Sequence, residues 1–132
     1  KNYFKTKKII NKSIGKVFGK DMYQLIFDSK VVLNNHIDIS HDQMANIRLF
    51  ESTGLGSCLL TDYKNNLTEF FSTDEIVTYR NNDEAADKIK YLANNPKEAK
   101  QIALKGMEKT LKEHTMQARW DKFSKYLLDS QL

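Results

Sequence analysis

At 132 residues the chain has room for one hydrophobic core but is short for an enzyme that must grip two substrates. Its single cysteine, Cys58, excludes an internal disulfide and a zinc knuckle, and no apolar run approaches the ~20 residues that cross a bilayer, so a soluble, cytoplasmic domain is expected. The net charge of +4 is uneven: residues 1–40 carry eight lysines against three aspartates, whereas 41–80 carry three basic and six acidic residues. A basic leading segment suits nucleic acid or phosphates, but no nucleic-acid-binding signature accompanies it. Solvated lysines around inward-packing Tyr3 and Phe4 explain the charge better.

Residues 1–14, with Ile9 and Ile10, offer one strand. Asp21 precedes Met22, Leu25 and Ile26 at one-face spacing, which predicts a short helix capped by Asp21. Three β-branched or aliphatic runs, 31–34, 58–61 and 76–79, each end in polar loop residues and read as strands. Between the first two, His41 or Asp42 opens a helix on which Met44, Ile47 and Phe50 share a face. Gly54 and Gly56 close it, where left-handed backbone is cheapest for glycine. Residues 62–66 form a turn-rich loop, followed by an amphipathic turn or two over 67–71.

Asn81, Asn82 and Asp83 make a second cap cluster, after which Ala85, Ala86, Ile89, Leu92 and Ala93 mark a helix that stops near Asn94. Pro96 fits the first position of its successor, where Ala99, Ile102, Ala103, Gly106, Thr110 and Leu111 form a stripe of mostly small residues that permits close packing. Thr115 caps a last helix whose Met116, Trp120, Phe123 and Leu127 read as core or an interdomain seam. Strands alternating with helices, closed by two or three consecutive helices, predict an α/β fold with a parallel sheet. A doubly wound sheet usually has about five or six strands, so the first strands are expected before Lys1.

Ligands of open parallel sheets gather at the carboxyl ends of strands. Asn34, Asn35, His36, Asp38, Ser40, His41 and Asp42 all follow the first strand, and the helix expected near Gln43 aims its positive end there, a setting for a pyrophosphate. Arg48 reads as a phosphate clamp or as a solvated helix residue, and Glu51 as an acceptor for ribose hydroxyls or as helix surface. Asn46 reads as a phosphate donor, a support for Arg48 or a partner for backbone. His36, Asp38, His41 and Asp42 have metal-ligand chemistry, but no second motif completes a set, and no metal is expected. Contiguous Ser40-His41-Asp42 is loop and cap, because the members of a hydrolase triad come from separate segments. Cys58, inside an apolar run, is expected to be buried and inert, and His114 to be an ordinary helix-end residue.

Taken in order, residues 29–38 (SKVVLNNHID), 46–51 (NIRLFE) and 54–63 (GLGSCLLTDY) resemble the carboxy-terminal domain of group 1 glycosyltransferases. Within that group they are most similar to the branch related to the CgeB spore-maturation protein. Further matches are 15–19 (GKVFG), 67–69 (LTE) and 113–115 (EHT) with Arg119, so the resemblance runs from Gly15 to Arg119.

The resemblance implies the GT-B architecture, in which two Rossmann-like domains face a cleft and the second binds the nucleotide-sugar donor. The chain is then a single or partial domain, the donor-binding half, with the acceptor domain absent from it. Glu51 takes the position of the family glutamate that holds ribose hydroxyls. Gln43 falls where many relatives have a first glutamate contacting the transferred sugar, and it departs from them by hydrogen-bonding without charge. The amides of Met44, Ala45 and Asn46 are implied at the pyrophosphate, main chain at Val17 and Phe18 at the base, and Glu69 at an acidic position that shapes the donor loop.

The implied activity is transfer of a sugar from a nucleoside diphosphate to an acceptor hydroxyl, with helix amides and basic side chains meeting the charge on the leaving group. The nucleotide sugar is a substrate, and no cofactor is implied. The glycan or other acceptor is expected on the missing domain and the catalytic groups partly upstream, so this chain alone is not expected to turn over. Two alternatives stand beside this one: a non-catalytic Rossmann-like module for carbohydrate recognition or assembly, which Gln43 permits, and a basic nucleic-acid-binding domain using residues 1–40.

Overall fold

The computed structural model describes residues 14–37, 40–44 and 46–130. Tyr3, Phe4, the strand expected around Ile9 and Ile10, Asp38 and Ala45 lie outside the described residues. Three parallel strands, β1 (Val31–Asn34), β2 (Cys58–Asp62) and β3 (Val77–Tyr79), lie in the order β1-β2-β3. The register sets Asn34 beside Thr61 and Asp62 beside Tyr79, so all three strands end at one rim. Helices α1 (Gly19–Asp28), α2 (Arg48–Gly54), α3 (Asn82–Asn94), α4 (Pro96–Glu113) and α5 (Met116–Asp129) flank the sheet.

Strand β2 is covered on both faces, which explains its unbroken apolar run. Leu59 points to one side, into a cluster with Met44, Leu49, Leu67, Phe71 and Ile76. Cys58 and Leu60 point to the other, where they meet Leu92, Ala99 and Ala103 and, farther along, Tyr79 and Ala85. Leu59 and Leu60 are fully buried, and each contributes about 1.5–3 kcal/mol through the apolar surface it removes from water. Burial, and then the charge of Glu98, push the Cys58 thiol up to about 11, so it stays protonated and unreactive at neutral pH.

Helix α4 touches both layers. Ala99 and Ala103 pack in the cluster with Cys58, while farther along Thr110 Oγ1 lies 2.6 Å from Thr53 Oγ1 of α2. Gly106 sits between: a β-carbon there would fall 2.5 Å from the Glu75 carbonyl oxygen. The stripe of small residues is therefore buried at Ala99, Ala103, Gly106 and Thr110, whereas Leu111, expected on it, is exposed. At the other end of the sheet, Ser57 Oγ donates to the Ile26 carbonyl and pins α1 to the entry of β2.

The local signals for α3, α4 and α5 hold. Asn81 Oδ1 accepts from the Glu84 N–H, Pro96 opens α4, and Thr115 Oγ1 accepts from the Ala118 N–H. Two other boundaries differ from expectation. Asp21 is not a cap: α1 starts at Gly19, whose φ of 60° turns the chain into the helix, and Phe18 holds the cap position without a side-chain bond. Helix α2 starts at Arg48 and not near Gln43, because loop contacts claim the preceding backbone. The Gln43 N–H donates to Ser40 O, the Met44 N–H to Asn66 Oδ1, and the Asn65 N–H to Asp42 O.

Met44 still reaches the core from that loop, while Ile47, expected on the same buried face, is 73% exposed. Only Gly56 of the two closing glycines is left-handed, at φ 74°. The α5 stripe is not core of this domain: Met116 is 85% and Trp120 61% exposed. None of the described helices is long and apolar enough to cross a membrane. A parallel sheet with helices on both faces is a Rossmann-like α/β arrangement, as expected.

Candidate functional site

The strand-end rim is organised by a relay of polar side chains. Asn34, the last residue of β1, donates from Nδ2 to Thr61 Oγ1 at 3.0 Å and accepts at Oδ1 from Asn46 Nδ2 at 3.0 Å. The Thr61 hydroxyl donates onward to Asp62 Oδ1 at 3.2 Å. The same carboxylate oxygen takes the His36 backbone N–H at 2.9 Å and its ring Nδ1 at 2.6 Å, and Lys64 Nζ stands 3.4 Å from Oδ2. Because the acceptor is a carboxylate, the ring donates from Nδ1.

Burial opposes ionisation of Asp62, but the hydrogen bonds from His36, its ring charge and Lys64 outweigh it and hold the carboxyl below its ordinary range. The His36 side chain is 1% exposed, and its Nε2 is buried without a hydrogen-bond partner, as is Asn46 Oδ1. Among the described residues, no three His, Cys, Asp or Glu side chains gather as a metal site.

On one side of this relay stand Arg48 and Glu51 in the first turn of α2. Arg48 Nη1 lies 2.9 Å from Glu51 Oε2 and 3.1 Å from Met22 Sδ, while Tyr23 Oη donates to Glu51 Oε1 at 3.2 Å. Helix α1 thus supplies a wall against the pair. The Glu51 side chain is only 15% exposed, so the reading as plain helix surface does not apply. Its Oε2 is buried and meets Arg48 as an ion pair, outside good hydrogen-bond geometry.

On the other side, at the ends of β2 and β3, is an open hollow of about 330 Å³ lined by Asn35, Asp62, Tyr63, Tyr79, Arg80 and Asn81, among others. Tyr79 Oη donates to Asn34 O at 2.9 Å and lies 3.2 Å from Asn35 Oδ1. Burial, and then the Asp62 charge, raise the Tyr79 pKa, so the phenol remains a donor. The Arg80 guanidinium carbon lies over the Tyr63 ring, 3.8 Å from its centroid.

The residues anticipated from sequence are thus distributed, not gathered. Arg48 and Glu51 are together, and Asn46 belongs to the relay. The Gln43 side chain is exposed in a turn, and the Met44 amide is occupied by Asn66. Val17 and Phe18 lead into α1, with Phe18 exposed. Glu69 is exposed at the end of a short 3-10 turn, Leu67–Glu69, and Asn66 is the residue that holds the loop before α2.

His114 does more than end a helix. Its ring packs against Phe50, Phe70 and Phe71 and donates from Nε2 to Phe70 O at 3.0 Å, and burial lowers its pKa. The Arg119 guanidinium lies over the Phe50 ring, 4.3 Å from its centroid, so the start of α5 is fastened to α2 next to Glu51 in sequence. Asp62 and Tyr63, read from sequence as a turn-rich loop, and Arg80, given no role there, are residues of this rim that sequence did not single out. The available signal was an acidic residue at the carboxyl end of a buried strand, Asp62 closing Cys58–Asp62.

Comparison with curated proteins gave no match. The glycosyl transferase-like family does match, over residues 3–125, a span that includes α1, the relay, the Arg48–Glu51 pair and the hollow. With nearly the whole length matched, on a Rossmann-like sheet whose polar groups converge at the strand ends, the chain belongs to the glycosyl transferase-like family.

Proposed function

We propose that this domain binds the nucleoside diphosphate sugar used by a glycosyltransferase and presents it for transfer to an acceptor hydroxyl. The observation that carries the reading is Glu51: a largely buried carboxylate in the first turn of α2, held by Tyr23 at one oxygen and ion-paired with Arg48 at 2.9 Å through the other. Adjacent ribose hydroxyls supply two donors of the kind such a carboxylate accepts.

In this reading Arg48 turns from Glu51 toward the diphosphate, where its forked donors match phosphate oxygens. Gln43 hydrogen-bonds the sugar, and the loop before α2 meets the pyrophosphate at Asn46 more than at Met44, whose amide is taken. Main chain at Val17 and Phe18 borders the base. Charge gathering on the leaving diphosphate is then met by fixed donors already in place, which lowers the barrier without reorganisation. A second domain facing the rim supplies the rest of the acceptor site.

The test is calorimetric titration of the intact protein with each nucleoside diphosphate and its 2′-deoxy counterpart. Hydrogen bonds to a charged group contribute about 1.5–3 kcal/mol, so Glu51→Ala should weaken ribonucleotide binding by roughly tenfold or more. The 2′-deoxy ligand should bind the wild type more weakly and lose less on the substitution. A wild type indifferent to the ribose hydroxyl, with Glu51→Ala unchanged, would remove the reading.

A further inference from the structure

We propose that the hollow at the ends of β2 and β3 is a second binding site, one that holds the acidic group of a saccharide, carboxylate or phosphate, on the opposite side of the relay from Glu51. Most of the polar groups there are already engaged. Lys64 is committed, to His41 O at 2.5 Å and to Asp62. Asp62 is saturated by His36, Thr61 and Lys64, and Asn35 is held between Tyr79 Oη and the His36 carbonyl.

Arg80 is different. Its backbone N–H donates to Glu84 Oε2 at 2.7 Å, but its guanidinium makes no ion pair or hydrogen bond among the described residues; Glu84 is paired with Lys88 at 2.7 Å instead. The Arg80 Cζ sits 3.8 Å from the centroid of the Tyr63 ring, which holds the group over that ring, and a guanidinium offers a planar oxyanion two parallel N–H bonds. Asn81 uses Oδ1 for the Glu84 N–H and keeps its Nδ2 donors, and Asn82 lines the same wall. A guanidinium held over a ring and carboxamide donors around about 330 Å³ are the chemistry that recognises the oxyanion of an acidic sugar.

That the anion belongs to a saccharide rests on the sugar-transfer reading; that an oxyanion binds at Arg80 does not. Position supports two simultaneous occupants. Asn34 reaches toward the loop before α2 through Asn46, whereas its neighbour Asn35 lines the hollow, so the relay separates the two places.

The experiment titrates the intact protein with glucuronate, glucose 6-phosphate and uncharged glucose, with and without a saturating nucleoside diphosphate. Wild type, Arg80→Gln and Glu51→Ala are compared, with circular dichroism confirming that each is folded. At least one acid should bind, with or without nucleotide, and glucose more weakly; which acid binds separates carboxylate from phosphate. Arg80→Gln should weaken that binding by about tenfold or more, while Glu51→Ala leaves it within about twofold. Binding of neither acid, equal binding of glucose, or acid binding lost in Glu51→Ala but kept in Arg80→Gln overturns the proposal. If no nucleotide binds while the Arg80-dependent anion does, the donor reading fails and the hollow stands.

Discussion

Asp62 ties two strand ends together through a single oxygen, which makes it sensitive to acid. The native state holds its carboxyl below the ordinary value of about 3.9, so the unfolded chain takes up a proton first as pH falls. The stability contributed is fully present above about pH 4 and is lost as pH drops through the native-state value. Asp62→Asn should therefore melt below the wild type at pH 7, and the gap between the two melting temperatures should narrow below about pH 4. A gap that is constant across the acid range would show that the carboxylate contributes nothing specific. None of this was visible in sequence. His36 and Asp62 are 26 residues apart and meet only because parallel pairing places Asn34 beside Thr61. Residue pattern identifies a strand but not the register of its neighbour.

At the scale of elements, Gly106 fixes how closely α4 approaches the rest of the fold. Alanine normally favours a helix over glycine by about 1 kcal/mol, yet here its methyl would press on a backbone oxygen 2.5 Å away, which cannot swing aside as a side chain can. Gly106→Ala should destabilise by about 1–3 kcal/mol, read from the shift of the urea midpoint at constant slope. An unchanged or raised midpoint would mean that α4 sits farther from the Glu75 turn.

Local chemistry explains which elements were legible. Asn81, Pro96 and Thr115 act within a few residues of their own position, so three helix starts could be read directly. The start of α2 could not. Met44 is apolar and buried, and it continues the helical spacing backward, but it reaches the core from a loop whose amide is claimed by Asn66 on another segment. The same error displaced the expected anion-facing helix end from Gln43 to Arg48.

For the whole molecule, the α/β class was legible because strand-like runs alternate with helical ones; Arg48 and Glu51 were singled out one by one, and their ion pair was not foreseen. The hollow was not legible, since Asn35, Tyr63 and Arg80 come from the ends of three different strands and are joined only by the sheet. The exposed apolar residues of α5 were expected to be covered, and within the described residues they are not: its fastening lies at Arg119 and His114, near its beginning, and Trp120 and Phe123 stack mainly on each other.

Helix α4 is inserted against both layers of the sheet at once, through Ala103 on one face and Thr110 on the other. Neither layer can peel away without breaking contacts with the helix it shares with the other, so there is no cheap partial opening that frees one half. Slowly exchanging amides in β2, in α2 near Leu49 and in α3 near Leu92 should then report the same opening free energy, to within about 1 kcal/mol, in native-state hydrogen exchange. If α3 exchanged through a much easier opening than α2, the splint would be holding one side only. With a common value, the Glu51 side and the Arg80 side of the rim would keep their spacing even as loops above them fluctuate.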